Sequence, residues 1–160
     1  MKTSVRKGIG FGLTSGVITT LGLIIGLYSG THSKFVVLGG ILIIAIADSL
    51  SDALGMHMSE ESSRKTKEKD VWKSTFSTFW SKLVFALSFA VFVFAFELNT
   101  AVALSIAWGL FLLVIFSWHI AKIRGLKALN VIKEHLSIAM IVIITTYLVG
   151  IFVNKFFGNL

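Results

Sequence analysis

The stretch GIGFGLTSGVITTLGLIIGLYSGTHS, residues 8–33, decides the fold class of this chain, because none of its 26 residues is Asp, Glu, Lys or Arg. A transmembrane helix needs about 20 consecutive apolar residues. Two further runs without these charged residues, 98–121 and 135–154, are of comparable length. Each of the three runs can therefore cross a bilayer as a helix.

Two more apolar segments, 35–58 and 76–96, contain only isolated charges. The whole chain is 55% hydrophobic and 14% charged, whereas soluble proteins average about 25% charged residues. We therefore predict an all-α, multi-pass membrane protein that forms a single transmembrane domain over residues 1–160. The predicted spans are 8–30, 35–58, 76–96, 100–121 and 135–153.

The basic residues predict the orientation. With the N-terminus inside, thirteen Lys and Arg residues fall on the cytoplasmic side and only Lys34 and Lys155 fall outside. This asymmetry predicts a cytoplasmic N-terminus and an external C-terminus. The net charge of +7 is thereby explained by membrane orientation, and we predict no binding to nucleic acid. The thirteen are Lys2, Arg6, Lys7, Arg64, Lys65, Lys67, Lys69, Lys73, Lys82, Lys122, Arg124, Lys127 and Lys133.

The first span contains two runs of glycine at four-residue spacing. Small residues at this spacing line one helix face and let another backbone approach closely. The neighbouring backbone could belong to the same subunit or to a second copy. We predict a homodimer packed through this span. The glycines are Gly8, Gly12, Gly16, Gly22, Gly26 and Gly30.

The second span is the only one with acidic residues in its body, Asp48 and Asp52. Their i, i+4 spacing places both on one helix face, and Met56 extends that face by another turn. Ionisable residues inside a membrane are costly and mark candidate functional sites. We predict that Asp48, Asp52 and Met56 bind a metal ion and that Ser15 and Thr19 line the pathway.

We expect no basic residue in the deep part of any span, because Lys82 lies near the inner end of the third predicted span and can snorkel to the headgroups. The two carboxylates would then be protonated, hydrated or bound to a cation, so that protons and metal compete for one site. The alternative is a structural Asp pair that accepts hydrogen bonds. The candidate donors are the hydroxyls of Ser15, Thr19, Thr20 and Ser51.

A polar segment follows the second span and has no Gly or Pro. It predicts a helical extension into the cytoplasm over residues 59–72. Glu60, Glu61 and Glu68 could recruit cations there, but the interleaved basic residues favour a solvated helix with salt bridges. No catalytic combination of nucleophile, base and orienting group is evident, so we predict neither an enzyme nor a permanently bound cofactor.

Three segments resemble a known family. Residues 12–22, GLTSGVITTLG, and 47–59, ADSLSDALGMHMS, are similar to the first-helix and second-helix signatures of vacuolar iron transporter and nodulin-21-like proteins, and 145–150, TTYLVG, resembles their last helix. The chain departs from the family at three positions: Ser15 replaces an Asp, Asp52 a Met and Met56 a Glu. It also lacks the large cytoplasmic metal-binding insertion of many members.

The resemblance implies a homodimer that exports Fe²⁺ or Mn²⁺ from the cytosol in exchange for protons. The membrane would be the plasma membrane in a prokaryote and a vacuolar-type membrane in a eukaryote. Two alternatives stay open: a non-transporting membrane scaffold or partner subunit, and an exchanger or channel for another cation.

Overall fold

The structure, a computed structural model, describes residues 3–63 and 66–158. Within these ranges the chain forms five α-helices and no strands, and each helix is long and apolar enough to cross a membrane. The prediction of an all-α chain with five helices able to span a membrane is therefore confirmed. The helices are α1 (Thr3–Thr31), α2 (Lys34–Glu61), α3 (Glu68–Ala95), α4 (Leu98–Arg124) and α5 (Ala128–Phe157).

Every helix is longer than its predicted span, and the difference is largest at the start of α3. This helix begins at Glu68 rather than near residue 76, and Glu68 and Asp70 occupy its first turn. Acidic side chains stabilise a helix N-terminus because they interact favourably with the helix dipole. The early start places Lys82 near the middle of α3 instead of near its end.

The predicted continuous helix across 59–72 is wrong. Helix α2 ends at Glu61, α3 begins at Glu68, and the described residues between them are not helical. The Ser62 hydroxyl donates to the Ser59 carbonyl oxygen at 2.8 Å. Such side-chain bonds to the backbone compete with helical hydrogen bonding, so a serine-rich segment can end a helix without Gly or Pro.

The connection between α4 and α5 is a helix C-cap built on Gly125. This residue has φ +64°, a left-handed conformation that glycine adopts without steric cost. The Leu126 amide donates to the Ala121 carbonyl at 2.9 Å, and the Gly125 amide donates to the Lys122 carbonyl at 3.4 Å. This pair of bonds is a Schellman motif, which satisfies the last carbonyls of α4.

Two compact units share the five helices. The first unit combines residues up to Thr20 with Ile41–Ala90. Its part of α3 buries a continuous stripe at helical spacing, in which three of the six residues are polar. The buried hydroxyls of Ser74 and Thr78 donate to backbone carbonyls one turn back. The stripe consists of Val71, Ser74, Thr78, Lys82, Ala86 and Phe89.

The second unit combines Leu21–Gly40 with residues from Val91 onward. Its core is mainly aliphatic. The Ser29 hydroxyl is within 3.1 Å of the Tyr147 carbonyl oxygen, and the Asn154 amide donates to the Gly30 carbonyl at 2.6 Å. The buried apolar residues include Leu21, Ile24, Ile25, Val37, Val93, Ala101, Leu113 and Ala139.

The glycines of α1 pack within the chain. In the first unit, a Cβ atom at Gly12 would lie 2.6 Å from the Thr78 carbonyl oxygen of α3. In the second unit, a Cβ atom at Gly22 would lie 2.9 Å from a methyl group of Val142 on α5. The prediction that these glycines form a subunit interface is therefore wrong, and the alternative of tight packing within one subunit holds.

Candidate functional site

Two carboxylates and one ammonium group meet in the middle of α2 and α3. The Lys82 Nζ atom lies 2.5 Å from Asp48 Oδ2 and also contacts Asp52 Oδ2. The Lys82 side chain is 1% exposed, whereas the Asp48 and Asp52 side chains are 26% and 20% exposed. The lysine is thus buried behind two carboxylates that are themselves partly accessible.

The glycines of α1 make room for this lysine. A Cβ atom at Gly16 would lie 3.1 Å from the Lys82 carbonyl oxygen and 3.2 Å from its Cγ atom, and one at Gly12 would lie 3.0 Å from the Lys82 amide nitrogen. A larger residue at either position would push α3 away from α1. The close approach lets the lysine stem run along α1 to the two carboxylates.

The expectation that no basic residue lies deep in a span is wrong, and so is the snorkelling assigned to Lys82. Both assumed that the third span begins near residue 76. Because α3 begins at Glu68, Lys82 lies near its centre, on the buried stripe of the helix. With Lys82 removed, the predicted cytoplasmic total falls from thirteen basic residues to twelve, so the asymmetry that predicts the orientation remains.

Both residues predicted to line the pathway contact the carboxylates. The Ser15 hydroxyl donates to Asp52 Oδ2 at 2.7 Å and accepts from Lys82 Nζ at 2.9 Å. The Thr19 hydroxyl lies 3.0 Å from Asp48 Oδ2 and 2.9 Å from the Ser15 carbonyl oxygen. Helix α1 therefore contributes a hydroxyl to each carboxylate.

The other two hydroxyls proposed for the structural alternative do not join this network. Ser51 is exposed. Thr20 is fully buried, and no hydrogen-bond partner is found for its hydroxyl. Of the four candidate donors, Ser15 and Thr19 are therefore the two that contact the aspartates.

Three oxygen atoms surround the Lys82 ammonium group, which has three donors and no acceptor. It donates hydrogen bonds to Asp52 Oδ2 and Ser15 Oγ and forms an ion pair with Asp48 Oδ2. With all three groups ionised, the cluster carries a net charge of −1, because two carboxylates surround one ammonium.

Met56 lies one turn beyond Asp52 on α2 and is partly buried. Its thioether could provide a soft ligand of the kind that transition metals accept. Within the described residues, no three His, Cys, Asp or Glu side chains are close enough to hold a metal ion together. A metal bound by the two aspartates would therefore need further ligands from hydroxyls, the thioether or water.

The three glutamates proposed for cation recruitment are not gathered at one point. Glu60 is 9% exposed and forms a 3.0 Å ion pair with Lys7. Glu61 is exposed and lies 3.9 Å from His57 Nε2, whereas Glu68 is exposed in the first turn of α3. Of these three glutamates, only Glu60 lines a cleft.

This cleft has a volume of about 520 Å³ and lies where α1 and α3 begin and α2 ends. The Ser4 hydroxyl donates to Asp70 Oδ1 at 3.4 Å on its wall. The lining residues are all of polar types and include both signs of charge. They are Thr3, Ser4, Lys7, Glu60, Thr66, Lys67 and Asp70.

Comparisons with known proteins assign no family to the chain. No protein-family model matches the sequence, and no curated protein matches it.

Lys82 is the residue that the sequence-based prediction missed. A signal was available: Lys82 is the only basic residue in an otherwise apolar segment, and another segment carries two unpaired carboxylates. Charged residues within membrane spans usually pair with one another. Opposite charges in two apolar segments therefore predict contact between those helices.

Proposed function

We propose that this chain is a cation transporter that moves a divalent transition metal, Fe²⁺ or Mn²⁺, out of the cytosol in exchange for protons. Asp48 and Asp52 are its ligands. One observation carries the proposal: two carboxylates converge on a single cation, the Lys82 ammonium, in the middle of a helix long enough to span a membrane. A site that already holds a cationic group has the charge and geometry to hold a substrate cation.

Charge balance favours a divalent cation. The cluster carries a net charge of −1 with the ammonium in place, and the two carboxylates alone carry −2. A divalent ion that takes the place of the ammonium would neutralise both carboxylates, which lowers the cost of keeping them within a membrane. Ser15 and Thr19 add hydroxyl oxygens beside the same two groups.

Two observations favour a transition metal over other cations. Met56 places a thioether one turn from Asp52, and sulfur ligands suit softer metals than Ca²⁺ or Mg²⁺. The similarity of residues 12–22 and 47–59 to the iron transporter family points the same way. Transport of another cation by the same carboxylates is the corresponding alternative.

A non-transporting scaffold is the second candidate, and a specific observation favours it. Each carboxylate has a hydroxyl donor, and the lysine compensates one of the two negative charges. Such a network could hold α1, α2 and α3 together without binding any ion. This candidate predicts no protein-dependent cation flux.

We also propose the predicted orientation and a homodimer, both as parts of the transporter hypothesis. With Lys82 left out, twelve basic residues are predicted on the cytoplasmic side and two outside. This distribution still supports a cytoplasmic N-terminus. The homodimer follows from the family resemblance. Its interface would lie away from the α1 glycines, since these contact α3 and α5 of the same chain.

The decisive experiment is Mn²⁺ flux into proteoliposomes. We expect parent protein to give flux above protein-free vesicles, and we expect Asp48→Asn and Asp52→Asn to reduce it to the vesicle background. Glu134→Gln is the matched control, because Glu134 is an exposed carboxylate on α5. Flux of Mn²⁺ at the parent rate in both Asn variants would refute the proposed function.

Parallel measurements separate the alternatives. Protein-dependent flux of K⁺ or Na⁺ without Mn²⁺ flux would identify an exchanger or channel for another cation. No flux of any of these ions, together with lower melting temperatures for both Asn variants, would identify the scaffold.

A further inference from the structure

In the first unit, side chains of α1 and α2 form a series of contacts in one fixed register. We call this series the ladder and each contacting pair of residues a rung. In three observed contacts the two residue numbers add up to 67. Residues four apart lie on the same face of a helix, so an antiparallel pair keeps this sum along its contact line. The three contacts are Lys7 with Glu60, Ser15 with Asp52, and Thr19 with Asp48.

The same register defines a fourth rung, and it is apolar. Phe11 and Met56 have numbers that add up to 67, and they lie between the rung of Lys7 and the rung of Ser15. The rise of 1.5 Å per residue places this rung about 6 Å from each neighbour along the helix axis. A phenyl ring and a thioether thus interrupt an otherwise polar line.

Polar regions lie on both sides of this interruption. On one side is the cleft of about 520 Å³, whose wall includes Lys7 and Glu60. On the other side are the Ser15 hydroxyl and the Asp52 carboxylate, which is 20% exposed. A cation that reaches the carboxylates from the cleft along α1 and α2 must pass Phe11 and Met56.

We propose that Phe11 and Met56 form an apolar barrier between the cleft and the carboxylates, and that the path of the cation follows this ladder. The path depends on the proposed function, whereas the barrier itself can be tested without transport. Apolar constrictions close a path to ions because they lose their water. Phe11 is 45% exposed, so its ring is not packed in a core and has room to change rotamer.

This assignment gives Met56 a role distinct from metal ligation. A barrier needs only a flexible apolar side chain, which methionine provides, whereas a ligand needs the sulfur atom. Met56→Leu keeps the apolar volume and removes the sulfur. Met56→Ala removes both, so the pair of variants separates the two roles.

Cysteine accessibility tests the barrier directly, because the chain has no cysteine. Ser15→Cys is introduced into the full chain in proteoliposomes and treated with the cationic thiol reagent methanethiosulfonate ethylammonium. We expect Phe11→Ala to raise the labelling rate roughly tenfold, the factor that corresponds to about 1.4 kcal/mol of barrier. Met56→Ala should raise the rate similarly, whereas Met56→Leu should leave it unchanged.

Two controls accompany this measurement. Thr3→Cys lies on the cleft wall and is exposed, so its labelling rate should not depend on Phe11. Phe94→Ala removes a ring that is 78% exposed on another part of α3, and it should not change labelling of Ser15→Cys. Thr19→Cys provides a second reporter one turn deeper, in case loss of the Ser15 hydroxyl perturbs the fold.

The outcomes separate the barrier from the proposed function. Labelling of both reporters at rates independent of Phe11, or no labelling of either reporter even with Phe11→Ala, would overturn the barrier. Labelling that depends on Phe11 in a chain without Mn²⁺ flux would support the barrier and refute the transporter. If Mn²⁺ flux is present and depends on Asp52 but not on Phe11, the transporter stands and the ladder is not its path.

Discussion

Replacement of Lys82 by methionine tests the central contact of the structure. The variant keeps an unbranched side chain of similar length but removes the ammonium group that bonds to Asp48, Asp52 and Ser15. Two carboxylates then lie one turn apart without a counter-charge. Breaking a buried ion pair by removing one member costs about 3–5 kcal/mol. For a chain of this size, that cost lowers the melting temperature by on the order of 10 °C.

The loss of stability depends on the net charge of the cluster, and further variants test this dependence separately. Asp52→Asn alone leaves the ammonium with one carboxylate, so the cluster becomes neutral and the loss of stability relative to the parent should be small. Asp48→Asn with Asp52→Asn leaves an isolated buried ammonium and should cost several kcal/mol. Adding Lys82→Met to that double variant removes the last charge, and we expect most of the lost stability to return.

Thermal unfolding in one detergent, followed for the parent and these variants, provides the measurement. Lys155→Met is the matched control, because this lysine is exposed on α5. A Lys82→Met protein that melts within about 2 °C of the parent, less than 1 kcal/mol on the usual scale, would show that the lysine does not hold the carboxylates. If the triple variant loses as much stability as the double Asn variant and Lys82→Met together, this result would contradict the proposed charge pairing.

Two further predictions concern packing and orientation. Gly12→Ala should lower the melting temperature, because its Cβ atom would lie 2.6 Å from a carbonyl oxygen of α3. Gly39→Ala should be tolerated, because beyond the adjacent backbone of α2 no atom lies within 4 Å of its Cβ position. In right-side-out vesicles, an impermeant thiol reagent should label Lys155→Cys but not Lys69→Cys if the N-terminus is cytoplasmic; the reverse pattern would overturn the orientation.

The break between α2 and α3 shows why some local structure could not be predicted. Neither Gly nor Pro marks this segment, so its composition allowed one continuous helix over 59–72. Helix α2 instead ends at Glu61, where the Ser62 hydroxyl donates to the Ser59 carbonyl oxygen and Glu60 pairs with Lys7 of α1. The pairing with α1 is a tertiary contact, and local helix propensity contains no information about it.

The sequence by itself determined the five helices and the common face of Asp48 and Asp52. Apolar runs of this length must satisfy their backbone hydrogen bonds internally within a bilayer, which requires helices, and residues four apart on a helix share a face. Only the tertiary structure decided that Lys82 joins those carboxylates and that the α1 glycines face α3 and α5. These contacts depend on where α3 begins and on how closely its backbone approaches α1, and both are properties of helices packed together rather than of any one helix.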